Sequence, residues 1–309
     1  MLPIDSIELA EVGPREGFQF EGISQPDKIS TENKVRLVDA LGETGVKTIQ
    51  VTSFVHPKHV PQMADAEAVS EAFTAKPGVR YTALFLNNRG FFRALATEKY
   101  AIEGAVRLTA SDAFLERNQR RTYAEDVEEQ KVQIELYKEH GIPVTRGSMM
   151  AVFGCNYEGD IPLQRVLDRV HTIDRLITEG GGRMTELSLA DTMGWADPEQ
   201  IKRTVSAVRD QWPDVDLVLH LHDTRGTGIA NVYAAMEMGV RRFDSSVGGL
   251  GGCPFAGVVA GNVATEDIVF MCDRMGIETG VDLKKMVECV KLAEEIVGHP
   301  LPSKVGHVM

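Results

Sequence analysis

The feature that most constrains the fold of this chain is a regular alternation of two sequence patterns. Eight short runs rich in β-branched and apolar residues are separated by longer stretches with helical periodicity. The eight runs are residues 6–12, 46–53, 79–85, 104–110, 143–152, 184–190, 216–222 and 241–247. Such alternation is typical of a parallel sheet covered by helices. The chain is therefore predicted to belong to the α/β class.

The spacing of these strand candidates narrows the fold further. Amphipathic stretches lie at residues 28–43, 60–75, 123–140, 163–179, 198–210, 228–238 and 262–275. The repeat is about 30 residues, the size of one βα unit. Eight such units without a dividing linker favour a closed (β/α)8 TIM barrel over an open doubly wound sheet. We predict a single domain over residues 1–309, with the barrel at 5–278 and a C-terminal extension at 281–309 that begins with an additional helix at 281–297.

Composition argues against several classes of function. The chain carries 33 Lys and Arg against 45 Asp and Glu, and the resulting net charge of −12 disfavours a nucleic-acid partner. No apolar run approaches the roughly 18 residues of a membrane span, and the N-terminus MLPIDSIELAEVG lacks the pattern of a signal peptide. The four cysteines show no CxxC spacing, which disfavours a disulfide framework and a structural zinc site. We expect a cytoplasmic protein with no membrane partner.

In a barrel of this type, chemistry belongs at the C-terminal ends of the strands. The seventh strand candidate ends in LHLH, where His220 and His222 are two positions apart and so share one face of the strand. Two imidazoles that converge at the mouth of a barrel would form half of a metal site. The alternative is that one histidine packs in the core and the other has no role.

The first strand candidate supplies charged groups for the same end of the barrel. It runs into VGPREG, which puts Arg15 beside Glu16. A carboxylate ligand would favour Mg²⁺ or Mn²⁺, and the arginine, always protonated, would hold an oxyanion or a thioester oxygen. An adjacent Arg and Glu can also form an ordinary surface ion pair.

The eighth strand candidate leads into the glycine-rich stretch SSVGGLGGCPFAGVVAGN. Glycines such as Gly251 and Gly252 permit close approach of the backbone to a ligand, or a mobile lid. Within this stretch Cys253 is either a nucleophile or acid/base group, or an inert thiol. Asn262 is either a metal ligand through its carbonyl oxygen or the N-cap of the next helix.

Two other loops carry side chains suited to proton transfer or substrate contact. Asp191 follows the sixth strand candidate and is either a general base or partner of a histidine, or a cap of the turn together with Thr192. His56 and His59 follow the second strand candidate, on a loop because Pro57 disfavours a helix there. These two histidines would contact substrate or lie exposed.

Together these segments resemble the 3-hydroxy-3-methylglutaryl-CoA lyases, a family of the DRE-TIM metallolyase superfamily. The resemblance covers nearly the whole chain and is strongest in VGPREGFQ (12–19), TSFVHPKHVPQMAD (52–65), FGCNYEG (153–159), LSLADTMG (187–194), HLHDTRG (220–226) and DSSVGGLGGCPFAGVVAGNVATEDIVFM (244–271). It implies a divalent metal bound by Glu16, His220, His222 and Asn262. It also implies that Arg15 stabilises an enolate, that Asp191 and His220 belong to the acid/base machinery, and that Cys253 is catalytic on a mobile loop.

The reaction that the resemblance implies is a carbon–carbon cleavage of 3-hydroxy-3-methylglutaryl-CoA to acetyl-CoA and acetoacetate, with Mg²⁺ or Mn²⁺ as cofactor. A base removes the proton of the tertiary hydroxyl, and the bond to C2 breaks as the ketone forms. An acid, for which Cys253 is a candidate, then protonates the acetyl-CoA enolate. The resemblance further implies an acyl-CoA substrate and a homodimer.

The chain departs from the family pattern near the presumed site. The family normally has Asp at Glu16, Glu at Gln50, Tyr at Ser148, Ser at His56 and Trp at His59. Glu16 is one methylene longer than aspartate, and Gln50 removes a negative charge. Because Glu16 is longer and Ser148 leaves more space than tyrosine, a related 3-hydroxyacyl-CoA such as citramalyl-CoA, which would give acetyl-CoA and pyruvate, is an alternative substrate. The substrate-binding candidates are Gln50, Ser148, His56, Gly251 and Gly252.

Three other functions compete with the lyase. A Claisen condensing synthase of the same superfamily usually carries a C-terminal regulatory extension, whereas only a short segment follows the last barrel helix here. A Schiff-base aldolase needs a lysine at a strand end, and the candidate, Lys58, lies within a lyase-like motif. A barrel that has lost its activity would keep the fold alone. An aldolase would survive metal removal and be trapped by borohydride, which separates it from the metal-dependent functions.

Overall fold

The computed structural model describes residues 2–21, 28–252 and 261–309. This part of the chain contains eight strands that pair in parallel, as the alternation of patterns predicts. Each strand lies inside one of the eight predicted runs. In chain order they are β1 (Glu8–Glu11), β2 (Thr48–Ser53), β3 (Arg80–Leu84), β4 (Gly104–Thr109), β5 (Val144–Met150), β6 (Glu186–Ala190), β7 (Asp216–His220) and β8 (Arg242–Ser245).

Helices follow the strands along the chain, and every predicted amphipathic stretch overlaps one. The described α-helices are α1 (Phe18–Glu21), α2 (Thr31–Leu41), α3 (Ala66–Ala72), α4 (Asn88–Ala96), α5 (Asp112–Gln119), α6 (Tyr123–Glu139), α7 (Leu163–Glu179), α8 (Pro198–Gln211), α9 (Gly228–Glu237), α10 (Thr265–Met275) and α11 (Leu283–Val297). The last of these is the additional C-terminal helix that the sequence predicts. No helix in the described ranges has the length and apolar character needed to cross a membrane.

Besides the four-residue α1, two helices, α4 and α5, have no counterpart among the predicted stretches. Both are short, with nine and eight residues, and so carry little periodic signal. Both nevertheless begin at a polar cap. The Asn87 side chain accepts a hydrogen bond from the backbone N of Gly90 at 2.9 Å, and Ser111 Oγ accepts one from the N of Phe114 at 3.1 Å. These N-caps are a sequence signal that hydrophobic periodicity alone does not contain.

The described residues form two compact units, each with four of the strands. The first unit consists of residues 2–3 and 103–241 and has the strand order β4, β5, β6, β7. The face of this sheet that carries Gly147 packs against α7, because a Cβ added at Gly147 would lie 2.8 Å from Ile173 Cγ2. Strands β6 and β7 end together, with Ala190 paired to His220. This pairing brings the loops after β6 and β7 to the same edge of the sheet.

The second unit consists of residues 4–21, 28–102, 242–252 and 261–309, with the strand order β3, β2, β1, β8. Helix α11 packs against α2 and α10, and it buries Met286, Val290, Ala293 and Val297, which recur at helical spacing. Strands β1 and β8 end together, with Glu11 paired to Ser245. The segments after these two strands carry Arg15, Glu16 and the glycine-rich stretch. The single domain predicted over residues 1–309 stays a prediction.

Glu266, in the first turn of α10, is a fully buried carboxyl group whose Oε2 accepts a hydrogen bond from the N of Gly248 at 3.1 Å. Burial raises the pKa of Glu266 from 4.5 to about 8. Because this pKa lies above that of the unfolded chain, the unfolded chain binds fewer protons in this window and stability falls as pH rises from about 4.5 to 8. We expect Glu266→Gln, which cannot ionise, to exceed the wild type in free energy of unfolding above pH 8 by up to about 5 kcal/mol.

Urea denaturation of both proteins at pH 4.5 and at pH 8.5 measures this difference. The advantage of Glu266→Gln is expected to shrink toward zero at the lower pH. Glu295→Gln is a matched control, because the Glu295 side chain is 66% exposed and its only described ion pair is with exposed Arg36. If Glu266→Gln and the wild type differed in stability by the same amount at both pH values, the result would contradict the claim that the Glu266 carboxyl group stays protonated in the folded protein.

Candidate active site

The histidine pair at the end of β7 is the first feature of the candidate site. His220 is the last residue of the strand and His222 follows two positions later, so both imidazoles lie on one face, as predicted. Both side chains are buried, and their Nε2 atoms are 3.1 Å apart. Two nitrogen ligands about 2.1 Å from one metal ion at a right angle would be about 3 Å apart. The pair therefore has the spacing of two neighbouring metal ligands.

Asp191 lies beside this pair because it follows β6, the neighbouring strand. Its backbone N donates to the His220 carbonyl oxygen at 2.8 Å. Its buried carboxylate accepts hydrogen bonds from the backbone N of Trp195 at 2.7 Å and of Ala196 at 3.1 Å. Burial raises the pKa of Asp191, although these two donors, His222 and Arg225 lower it in part. The cap of the turn is thus observed, while proton transfer by Asp191 stays a prediction.

Arg225 is a residue of this loop cluster that the sequence analysis did not single out, although it lies within the motif HLHDTRG. Its Nη1 donates to the carbonyl oxygens of Met193 at 2.6 Å and Gly194 at 3.0 Å. Its Nη2 donates to Asn156 Oδ1 at 3.3 Å, and the Trp195 indole N–H donates to the same oxygen at 2.9 Å. Arg225 therefore fastens the turn that holds Asp191 to the loop after β5.

In the second unit, the single π-helical turn Gly13–Gly17 that follows β1 carries Arg15 and Glu16. Arg15 Nη2 lies 2.9 Å from Glu16 Oε2, and Arg15 Nε donates to Gln50 Oε1 of β2 at 2.5 Å. The side chains of Arg15 and Glu16 are 15% and 13% exposed, so this is not an ordinary surface ion pair. The guanidinium group is held between one carboxylate and one neutral amide. The structure thus brings Arg15, Glu16 and Gln50 together.

Asn262 lies three residues before α10, and the alternative that it caps this helix is wrong. The helix begins at Thr265 and its N-cap residue is Ala264. The Asn262 side chain points elsewhere, because its Nδ2 donates to the Leu250 carbonyl oxygen at 3.2 Å. Its Oδ1 is buried and accepts no hydrogen bond from any described residue. A buried amide oxygen of this kind is costly unless a ligand or ion occupies its lone pairs.

Gly251 connects Asn262 to Glu16. Its φ of +116° strongly favours glycine, and a Cβ added there would lie 2.7 Å from Asn262 Nδ2 and 3.4 Å from Glu16 Cγ. At Gly252, an added Cβ would lie 2.9 Å from the ring of Phe20. The two glycines thus permit close packing of the protein against its own backbone. Their contact with substrate stays a prediction.

The remaining predicted residues differ in their settings. Ser148 of β5 lies on the sheet face opposite Gly147 and next to Ser188 of β6 in register. His56 is exposed on a loop, as the position of Pro57 predicts. Its ring centroid lies 5.2 Å from that of His59. Substrate contacts by Ser148 and His56 stay predictions. Cys253 lies outside the described residues, and the three described cysteines, Cys155, Cys272 and Cys289, are all buried.

Comparison with known protein families shows which family the chain belongs to. A family model described as HMGL-like matches residues 6–293. The chain belongs to the HMGL-like family. This confirms the resemblance identified from the sequence.

Among relatives of this HMGL-like chain is the 3-hydroxy-3-isohexenylglutaryl-CoA/hydroxymethylglutaryl-CoA lyase of Pseudomonas aeruginosa. It is 40% identical over 303 residues, which cover 98% of the chain and 97% of the relative. The crystal structure of the Bacillus subtilis HMG-CoA lyase has a TM-score of 0.89 at 38% identity and covers 100% of the chain and 99% of its own. An Acinetobacter baumannii HMG-CoA lyase in complex with coenzyme A and 3-methylmalate has a TM-score of 0.86 at 35% identity, with 97% and 94% covered. The predicted fold class, a (β/α)8 TIM barrel, is confirmed by these matches.

Proposed function

We propose that this HMGL-like protein is a carbon–carbon lyase that cleaves 3-hydroxy-3-methylglutaryl-CoA to acetyl-CoA and acetoacetate. The observation that carries the proposal is the identity of 35–40% to named lyases over nearly the whole of both chains. An acyl-CoA substrate is supported by the coenzyme A in the Acinetobacter baumannii complex. The polar groups after β1, β6 and β7 support the same proposal, because they lie at the C-terminal ends of the strands, where TIM barrels carry their chemistry.

The family is divalent-metal dependent, and we assign the metal ion in this protein to Glu16, His220, His222 and Asn262. Their donor set of two imidazoles, a carboxylate and an amide oxygen fits Mg²⁺ or Mn²⁺. The 3.1 Å between the two Nε2 atoms and the unpartnered Oδ1 of Asn262 among the described residues support this fit. When bound, such an ion polarises the oxygens of the substrate and lowers the pKa of its tertiary hydroxyl.

The protein's own groups then divide the proton transfers. Asp191 is the candidate base that takes the proton of the tertiary hydroxyl, and His220, whose Nε2 is assigned to the metal ion, belongs with it to the acid/base machinery. The electron pair of that O–H bond forms the ketone, the bond between C2 and C3 breaks, and its electrons pass to the thioester as an enolate. Arg15, fixed by its bonds to Glu16 and Gln50, stabilises the enolate oxygen. Cys253 is the candidate acid that returns a proton to C2 and completes acetyl-CoA.

The test is release of acetyl-CoA from 3-hydroxy-3-methylglutaryl-CoA by metal-stripped protein, with and without added Mg²⁺ or Mn²⁺. Metal-dependent release is expected. Citramalyl-CoA and 3-hydroxy-3-isohexenylglutaryl-CoA are run beside it, because one departs at the acid arm and the other at the branch on C3. Release only from one of these would keep the reaction and change the substrate. Release that survives chelation, or none from any of the three, would overturn the proposal.

The homodimer implied by the resemblance and the cytoplasmic location implied by the sequence stay predictions. Light scattering on the purified protein measures the first, with a mass near twice the 33.9 kDa of one chain as the expected result. Cell fractionation measures the second.

A further inference from the structure

Glu11, in β1, is a buried acid that the proposed reaction does not use. Its side chain has no exposed surface, and within the described ranges no lysine or arginine pairs with it. A buried carboxyl group without a counter-ion costs stability unless hydrogen bonds compensate for the lost water. The partners of Glu11 therefore indicate what the acid is for.

Three donors from separate segments converge on the Glu11 carboxyl group. Its Oε1 accepts hydrogen bonds from the backbone N of Gly13 at 2.8 Å and of Val247 at 3.0 Å. Its Oε2 accepts one from Thr265 Oγ1 at 2.7 Å. Thr265 Oγ1 also lies 2.8 Å from Ser245 Oγ. One side chain thus joins the end of β1 to segments more than 230 positions away in the sequence.

The first of these segments carries two groups of the candidate site. Gly13 opens the turn Gly13–Gly17, in which Arg15 and Glu16 lie. The hydrogen bond from Gly13 N fixes where this turn leaves β1. A rotation of the turn would displace both the guanidinium group and the carboxylate.

The other two segments lead to Gly251 and Asn262. Val247 opens the short turn Val247–Gly249 that precedes Gly251, and Thr265 opens α10 three residues after Asn262. Both segments meet Glu16 again at Gly251, where an added Cβ would lie 2.7 Å from Asn262 Nδ2 and 3.4 Å from Glu16 Cγ. The same three segments therefore meet at two places. Hydrogen bonds join them at Glu11, and they pack against one another at Gly251.

We propose that Glu11 is a positioning residue whose carboxyl group ties these three segments together and so places Glu16 and Asn262 for metal binding. This inference rests on the proposed function, which makes Glu16 and Asn262 metal ligands. Burial raises the pKa of Glu11 to about 7, against the three donors that lower it. The three hydrogen bonds that Glu11 accepts are therefore the feature whose loss the experiment measures.

Two substitutions at Glu11 separate its negative charge from its hydrogen bonds. In Glu11→Gln, the amide oxygen keeps the bonds from Gly13 and Val247, and the amide nitrogen donates to Thr265, whose proton turns to Ser245. In Glu11→Ala all three ties are lost. Thr265→Val removes the hydrogen bond from Thr265 and keeps the volume of the side chain. It replaces Glu11→Ala in the test if the alanine variant does not fold.

The experiment measures the Mn²⁺ dissociation constant of each metal-stripped protein without substrate, by electron paramagnetic resonance, at a temperature below all melting transitions. Loss of a hydrogen-bond partner of a metal ligand typically weakens metal binding by about 10- to 100-fold. Glu11 acts on Glu16 and Asn262 through the backbone, so we expect a loss at the lower end, about 10-fold, in Glu11→Ala, a smaller loss in Thr265→Val and near wild-type binding in Glu11→Gln. Asp126→Asn is the matched control, because Asp126 is a buried acid of α6 whose pKa burial raises to about 6. Its Mn²⁺ binding is expected to be unchanged.

The outcomes separate the inference from the function on which it rests. Glu11→Ala that melts at lower temperature yet binds Mn²⁺ like the wild type would overturn the positioning role and leave the lyase intact. Glu11→Gln as weak as Glu11→Ala would overturn the claim that hydrogen bonding suffices. Wild-type protein that binds no Mn²⁺ would overturn the metal assignment itself, and the positioning role with it.

Discussion

His222→Ala will bind Mn²⁺ at least about 100-fold more weakly than the wild type and cleave substrate about 1,000-fold more slowly. The reason is the position of its Nε2, 3.1 Å from that of His220 on the same face of β7. Removing it takes away one of the two nitrogen ligands that we assign to the ion. Glu16, His220 and Asn262 would then have to hold the ion without it.

Two measurements check this prediction: the Mn²⁺ dissociation constant without substrate, and the rate of acetyl-CoA release at saturating Mn²⁺. His171→Ala is the matched control, because His171 is exposed on α7, where its Nε2 lies 2.7 Å from Gln211 Oε1. Its metal binding and activity should equal those of the wild type. A melting curve for each variant shows whether the fold is retained, since His222 is buried. Folded His222→Ala with full Mn²⁺ affinity would contradict the assignment of the histidine pair as ligands.

The parts of the fold and site that could be predicted are those whose information is local in the sequence. Alternation within a strand predicts His220 and His222 on one face; β7 ends at His220, and the 3.1 Å between the two Nε2 atoms shows that the side chains nevertheless lie together. The same holds for α7, which begins and ends at the predicted residues, since its apolar positions recur at helical spacing over 17 residues. Short helices such as α4 carry too few turns for this signal.

The parts that could not be predicted depend on contacts between distant segments. Glu11 occupies an ordinary position in a strand, and only the fold brings Val247, 236 positions away, to its carboxylate. Arg225 likewise fastens the turn at Met193 and Gly194 from another loop. For Asn262 the sequence left a helix cap and a metal ligand open. The start of α10 at Thr265 excludes the cap.

Arg15→Lys is expected to lower kcat by about 100- to 1,000-fold while Mn²⁺ affinity stays close to that of the wild type. The charge is kept in this variant, so the loss would come from geometry. Arg15 meets Gln50 through Nε and Glu16 through Nη2, and this planar group is fixed by two partners at once. A lysine ammonium is a single point of charge on a flexible chain and cannot reproduce that arrangement.

Single-turnover release of acetyl-CoA with Mn²⁺ present measures the chemical step of Arg15→Lys separately from product release. Arg36→Lys is the control, because Arg36 is 44% exposed and pairs with exposed Glu295. Gln50→Glu keeps the shape and the acceptor that Arg15 Nε requires, so it is expected to retain activity. If Arg15→Lys turned over at the wild-type rate, charge alone would suffice, and the fixed fork between Gln50 and Glu16 would have no part in stabilising the enolate. If instead Arg15→Lys lost Mn²⁺ as strongly as His222→Ala, Arg15 would act by holding Glu16 in place, and its role would be that of a positioning residue.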